Sequence, residues 1–327
     1  MSKINYCGSI YETDNKGFYK ITSNIISKCP QSFYKYYALS SNSVNALTEM
    51  YIYATHPNQF NDPFDCNEKL IQFNTWNDVE ILWSDLFEKI KEYYSDEKQA
   101  CIDSSRTFKT LIYRKLGLFS MTDSKDNYQM WSYYAHNTGF CVEFDVKEFN
   151  FRHFGPFPIN YVDNIISPVN ISEVGGFLAM LIQSNIKNKW WKPENEWRLY
   201  IPNPSGQDMK SFGQGEENYN MPNDHDRKFK YPLSSIKSIT LGPLFFKDTI
   251  CIKVSSDEVE FIFPYEKNQL QMETLNFLSQ IQSFSNISLF LAELGDFMHY
   301  KFIPIHILKL KENQYRVLTT SSSIFNK

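Results

Sequence analysis

The stretch KNKWWKPENEWRLYIPN, residues 187–203, decides how this chain is read. From Glu194 to Ile201 it reads E-N-E-W-R-L-Y-I, in which aromatic and branched residues alternate with polar ones as in a strand. Side chains alternate faces along a strand, so Glu194, Glu196 and Arg198 share one face, and Asn195, Trp197 and Leu199 the other. Two carboxylates and a guanidinium in one row form either an exposed ion-pair ladder or the wall of a polar cleft. The preceding pair, Trp190 and Trp191, favours the cleft, because amphipathic indoles rarely cluster on a plain solvated surface.

On the N-terminal side of this stretch, the pattern predicts a helix over 172–190, with Ser172 as its cap and Glu173 in its first turn. INYVD is a strand that follows a loop marked by Pro156 and Pro158. DNYQMWSYYAHNTGFCVEFDV reads as a helical turn, a stop at Gly139 and a strand from Phe140 to Phe144. LGLFSMTD (116–123) is a short buried strand. Within 75–116, Val79, Leu82, Trp83, Leu86 and Ile90 recur at helical spacing, and a second helix covers 99–116. Phe33 to Leu39 and Tyr51 to Thr55 are strands, separated by a helix over roughly 43–50 that the Ser40–Ser43 cluster caps. FNDPFDC (60–66) is a turn, because Pro63 restricts Asp62 to extended geometry and either Asn61 or Asp62 can close an Asx-turn.

On the C-terminal side, residues 203–226 lack apolar periodicity and contain proline, glycine and amides, which predicts a surface loop accessible to proteases. IKSITLGPLF and DTICIKVSSDEVEFIFPY supply strands, QLQMETLNFLSQIQSF an amphipathic helix, and FIPIHILKLKENQYRVLTT a final hairpin. The expected organisation is a single α+β domain. It has an N-terminal extension over 1–30 with one short hairpin, a main body over 31–265, and a helix and hairpin over 266–327 completing it.

The 327 residues are enough to bury a core, and 17% of them are aromatic, with 27 Phe and 21 Tyr. The net charge of −4 gives no overall field favouring nucleic acid or an anionic membrane. Neither G-x-G-x-x-G nor G-x-x-x-x-G-K-[ST] occurs, so the usual phosphate-cradling loops are missing. Six cysteines (7, 29, 66, 101, 141 and 251) show no metal-ligand spacing and read as free thiols in a reducing cytosol. The N-terminus lacks an apolar signal-like region and no run is long enough to span a bilayer, so the expectation is a cytoplasmic protein with no membrane partner.

Other chemistries find weaker patterns. Asp62, Asp65, Glu194 and Glu196 would be the metal carboxylates of a nuclease, but the customary lysine beside the acidic pair is missing. His136 belongs to no H-x-x-x-H or H-E-x-x-H pattern, so no metal site is assigned. Cys141, with His136 as a nucleophilic partner, sits among core residues of a strand. Lys187, Lys189 and Lys192 form a basic cluster that reads as solvated surface.

Four pieces taken together carry a resemblance: YKYYALSS (34–41) leading to FNDPFDC, FSMTDSKDNYQMWSYYAHNTGFCVEFD (119–145), KNKWWKPENEWRL (187–199) and IKSITLGP (236–243). In this order they resemble the bacterial domain-of-unknown-function family 2971, whose members show a K-Y strand, an N-D-P-F-D turn, M-W-x-x-Y-A running into G-F-C-x-x-F, and W-x-x-E-x-E-x-R. The layout is also similar, more distantly, to the ADP-ribosyltransferase superfamily. That similarity implies an α+β fold with a mixed or split β-sheet core and flanking helices, and NAD as the substrate. It implies Glu196 and Glu194 as catalytic carboxylates, and Lys35, Tyr37, Ser120, Thr122, Trp131, Tyr133, Tyr134 and Arg198 as nucleotide-binding residues. Lys35 stands where that superfamily has Arg or His, and lysine lacks the planar fork for bidentate binding. The implied role is an NAD-consuming toxin or phage-defence effector. Its partners would be a nucleotide, an inhibitory protein or a nucleic-acid acceptor. The alternative implied role is a non-catalytic sensor or interaction module of a defence system.

Overall fold

The computed structural model describes residues 2–13, 19–23, 29–163, 167–202, 227–284, 286–295 and 299–319. The fold is α+β with a large mixed sheet and several helices. The chain divides into two interleaved units, each assembled from three separate stretches. Unit 1 takes Met1–Cys29, Tyr53–Ser120 and Arg152–Phe229; unit 2 takes Pro30–Ile52, Met121–Phe151 and Lys230–Lys327. The predicted 203–226 loop lies outside the described residues.

In unit 2 eight strands pair in the order Ile250–Lys253, Glu258–Ile262, Gln314–Thr319, Tyr300–Lys311, Ser288–Leu294, Ile236–Leu241, Phe140–Phe144 and Phe33–Tyr37. All these pairs are antiparallel except Ile236–Leu241 with Ser288–Leu294, which is parallel. Register assigns the faces. Tyr36 lies opposite Cys141, whereas Lys35 and Tyr37 lie opposite Val142 and Phe140. One face is covered by the Gln269–Ile281 helix, where Phe277 packs on Phe140 and Phe140 stacks on Tyr37. On the other face Trp131, from the Tyr128–Tyr133 helix, meets Tyr36 edge-on with ring centroids 4.9 Å apart. The Ser40 cap is formed as the sequence predicts, with reciprocal bonds between Ser40 and Ser43 opening the Ser41–Thr48 helix.

Gly139 stops the chain between helix and strand for a steric reason. A Cβ there would stand 1.9 Å from the Tyr37 carbonyl oxygen and 2.9 Å from that of Ala135. Both are backbone atoms and cannot rotate away. Gly139→Ala is therefore expected to cost about 1–3 kcal/mol or more, as overpacking does; an unchanged urea midpoint would contradict the contact.

Unit 1 opens with a three-stranded antiparallel meander, Ser2–Tyr6, Ser9–Thr13 and Tyr19–Ser23, in place of the single hairpin expected. The helical region is broken at a 3-10 turn, giving Trp76–Trp83, Ser84–Leu86 and Phe87–Tyr93 before the long Glu97–Lys115 helix. These helices pack with the meander around a core that includes Tyr11, Val79, Ile112, Leu118, Ile182 and Tyr200. The helix expected over 172–190 is two helices, Ile171–Val174 and Gly176–Asn185. Gly175 at φ 78 separates them, a conformation that favours glycine. Ser172 does not cap; its hydroxyl donates to Asp78 at 2.5 Å. The chain leaves helix at Asn185, and Ile186–Asn188 becomes a strand parallel to Asn160–Val162. The Glu196–Pro202 strand lies between Phe154–Pro158 and Leu116–Thr122.

Candidate functional site

The 187–203 stretch folds differently from the strand its alternation predicts. Lys189–Glu194 is a 3-10 helix, started by the Asn188 side chain accepting from Trp190 N at 3.0 Å. It ends at Asn195, which takes the left-handed conformation at φ 46, ψ 49. The strand begins at Glu196, two residues later than expected. Its residues from Glu196 to Ile201 are all buried, so neither face is the solvated ladder that the period-two pattern allowed. Glu194 still meets Glu196, because the left-handed residue turns the chain back between them.

The meeting point is Lys187, only 5% exposed. Its ammonium donates to Glu194 at 2.8 Å and to Glu196 at 2.9 Å, and it lies 4.9 Å from the Trp191 ring centroid. The other Glu196 oxygen accepts from Arg198 Nε at 2.6 Å. Arg198 is fully buried and binds Asp65 through both terminal nitrogens, at 2.8 and 2.5 Å. It also donates to the Ser184 carbonyl at 2.7 Å, and its guanidinium stacks 4.8 Å from the Phe60 ring. Ser184 lies in the last turn of the Gly176–Asn185 helix, the negative end of the helix dipole.

Asp65 reaches the network through the turn that the sequence predicts. The Asp62 carboxylate accepts from Phe64 N at 2.9 Å, closing an Asx-turn, and Asp65 N donates to the Asp62 carbonyl. The Cys66 carbonyl then accepts from Gln183 Nε2 at 2.8 Å, tying the turn to the helix. The two motifs N-D-P-F-D and E-x-E-x-R, far apart in sequence, are therefore joined through a bidentate Arg–carboxylate pair.

Charge counting gives the site its character. Three buried carboxylates, Asp65, Glu194 and Glu196, face two buried cations, Lys187 and Arg198. Burial alone pushes the Glu196 carboxyl up. The Arg198 and Lys187 charges, with a hydrogen bond from Arg198, overcome that and hold it well below its ordinary 4.5. Burial likewise pulls Lys187 down, but Glu196 and then Glu194 and Asp65 raise it above its usual 10.5. The linkage has two signs. A depressed carboxyl contributes stability above its unfolded value of 4.5, and that contribution is lost as pH falls; a raised lysine contributes below 10.5, and its contribution is lost as pH rises. Unit 1 should thus show a stability plateau between about pH 5 and 10, with an acid limb that weakens in Glu196→Gln; identical acid limbs in wild type and variant would contradict the assignment.

The sequence-derived candidates fall into separate groups. Glu194, Glu196, Arg198 and Ser120 belong to unit 1. Lys35, Tyr37, Thr122, Trp131, Tyr133 and Tyr134 belong to unit 2. There Lys35 and Tyr37 stand on the face covered by the Gln269–Ile281 helix, and Trp131 and Tyr134 pack on the opposite face, around Tyr36. Arg198 makes four hydrogen bonds to protein acceptors and is fully buried. Thr122 is also fully buried.

No protein-family model, curated protein or solved structure matches this chain.

Sequence reasoning missed Lys187, reading it as part of a solvated basic cluster, and gave Asp65 only a metal-binding role. The available signal was the excess of acid in an apolar stretch, which demands a nearby cation if it is buried. Among the described residues no group of three or more His, Cys, Asp or Glu is arranged to hold a metal. Asp65, central to the nuclease alternative, is engaged by Arg198.

Proposed function

We propose that this chain is an ADP-ribosyltransferase-like, NAD-consuming enzyme, acting as a toxin or phage-defence effector in the cytoplasm. The observation that carries the reading is the excess of buried negative charge, three carboxylates against two cations in one hydrogen-bonded network. Breaking the bond between ribose and nicotinamide makes the ribosyl carbon oxocarbenium-like, while the neutral nicotinamide leaves with the bonding electron pair. Preorganised negative charge in a poorly solvated site stabilises that transition state more than the ground state. Glu196 is held as a carboxylate by its two cations, and Glu194 shares one of them. In this reading Glu194 orients or deprotonates the acceptor, which is water, a protein side chain or a nucleic acid. Phe64, next to Asp65, and Trp190, four residues before Glu194, are 69% and 80% exposed and offer stacking surface for a heterocycle.

A specific observation favours a second reading, a non-catalytic interaction or sensor module. Both Glu196 oxygens are already engaged by protein cations. In that case the network only anchors the turn and the strand, and Phe64 and Trp190 serve a protein partner. Incubating the purified protein with NAD and following free nicotinamide by proton NMR separates the two. Steady nicotinamide release supports the enzyme; intact NAD, with and without candidate acceptors, supports the module.

A further inference from the structure

The sheet of unit 2 ends on the Ile250–Lys253 strand, whose outer side is open among the described residues. Glu258–Ile262 pairs with its inner side, in an antiparallel ladder that sets Ile250 opposite Ile262 and Ile252 opposite Glu260. Val254 N donates to the Glu258 carbonyl at 3.0 Å, which fixes the phase of that ladder. Backbone groups alternate sides along a strand, so those of Ile252 point into the sheet and those of Cys251 and Lys253 point out of it. All four residues are exposed, Ile250 at 60% and Ile252 at 44%. Outward donors and acceptors beside exposed branched side chains are a template for a further strand. An edge is usually blunted by a lysine or proline within it. Here the interior is uncharged, and Lys253 stands at the end of the strand.

We infer that this edge pairs, antiparallel, with the same edge of a second copy of the chain, about a two-fold axis at Cys251. The run Ile250-Cys251-Ile252 reads the same in both directions, which is the self-complementarity that a two-fold interface requires. With the axis at Cys251, Ile250 meets Ile252 of the partner subunit, and the same pair recurs on the other side of the axis. These side chains project from one face of the sheet, since residues two apart share a face. Cys251 faces outward in both copies, so the two cysteines form a hydrogen-bonded pair that exchanges two N–H···O=C bonds. An axis at Ile252 would instead set Lys253 against Cys251 of the partner subunit and bring two ammonium groups into the paired segment. The axis at Cys251 leaves them at its ends. A four-residue edge covers less than the about 800 Å² per partner of a standard interface, so the dimer is a weak one that forms as concentration rises.

Sedimentation velocity of the intact protein over a concentration series is the test. Wild type should pass from monomer to dimer; a monomer at every concentration overturns the inference and leaves the edge to a strand of some other protein. Cys251→Pro removes an outward N–H and spares the bonds to Glu258–Ile262, so it should weaken the dimer about tenfold or more without unfolding the chain. Ile252→Lys puts a charge into the edge and should weaken the dimer comparably. The double variant Ile250→Glu/Ile252→Lys should recover much of the loss, because each introduced charge then faces one of opposite sign across the axis. A dimer untouched by Cys251→Pro in a variant that melts normally, or a double variant no tighter than Ile252→Lys, overturns the inference. If Cys251→Pro does not fold, the comparison of the two charged variants decides.

Discussion

Arg198→Met is expected to destabilise unit 1 by about 3–5 kcal/mol, the range found when one partner of a buried ion pair is removed. The methionine fills much of the volume, so the loss is mainly electrostatic. Without the guanidinium, Asp65 loses both bonds that hold its carboxylate, and Glu196 keeps only Lys187 among the cations. The Ser184 carbonyl loses one of its two donors and retains Tyr200 at 3.1 Å. Each buried acceptor left without a donor adds about 1–3 kcal/mol of desolvation penalty. Arg198→Lys should recover little, because an ammonium cannot make the planar bidentate contact with Asp65. Urea unfolding of the two variants beside wild type measures this. A midpoint within experimental scatter of wild type for Arg198→Met would mean that the network does not hold the N-D-P-F-D turn to the strand.

Much of the fold was legible in the sequence, and what was missed has identifiable causes. The Phe33–Tyr37, Leu116–Thr122, Phe140–Phe144, Ile236–Leu241 and Glu258–Ile262 strands carry enough branched and aromatic residues to be placed from composition alone. The Gln269–Ile281 helix declares itself through its apolar spacing and an Asn268–Gln271 capping box. The stretch around Glu194 misled for a local reason. Alternation from 194 onward looked like continuous strand, but Pro193 and the left-handed Asn195 place Glu194 at the end of a 3-10 turn. The pattern extends a helix to 190 because Ile186 and Lys187 fit helical spacing equally well; only pairing with Asn160–Val162 decides for strand. Such pairing is tertiary and has no local signature. The interleaving of the two units is invisible for the same reason.

The acidic pair was legible as a candidate, but its environment was not. Period-two alternation allowed an exposed ladder, whereas the strand is buried on both sides and its charges are neutralised from outside it by Lys187 and Asp65. This changes which carboxylate best isolates chemistry from packing. Glu196 binds two cations through two oxygens, so Glu196→Gln is expected to weaken the fold as well as any activity. Glu194 bonds Lys187 at 2.8 Å, and Lys187 keeps Glu196 when Glu194 changes.

Glu194→Gln is therefore expected to lower nicotinamide release by roughly a hundredfold or more, as when a charge aimed at the transition state is removed. The substitution keeps the size and hydrogen-bonding reach of the side chain. It also balances the network at two carboxylates against two cations, so the structural cost should stay near the 1–2 kcal/mol of a typical substitution. The excess negative charge, on which the reading rests, is what disappears. The decisive measurement is the rate of nicotinamide release from NAD by wild type and Glu194→Gln, each at a temperature well below its own measured melting point. Steady release is expected from wild type, with a drop of about two orders of magnitude or more in a variant that melts close to wild type. Equal rates in the two folded proteins, or no release by wild type, would contradict it.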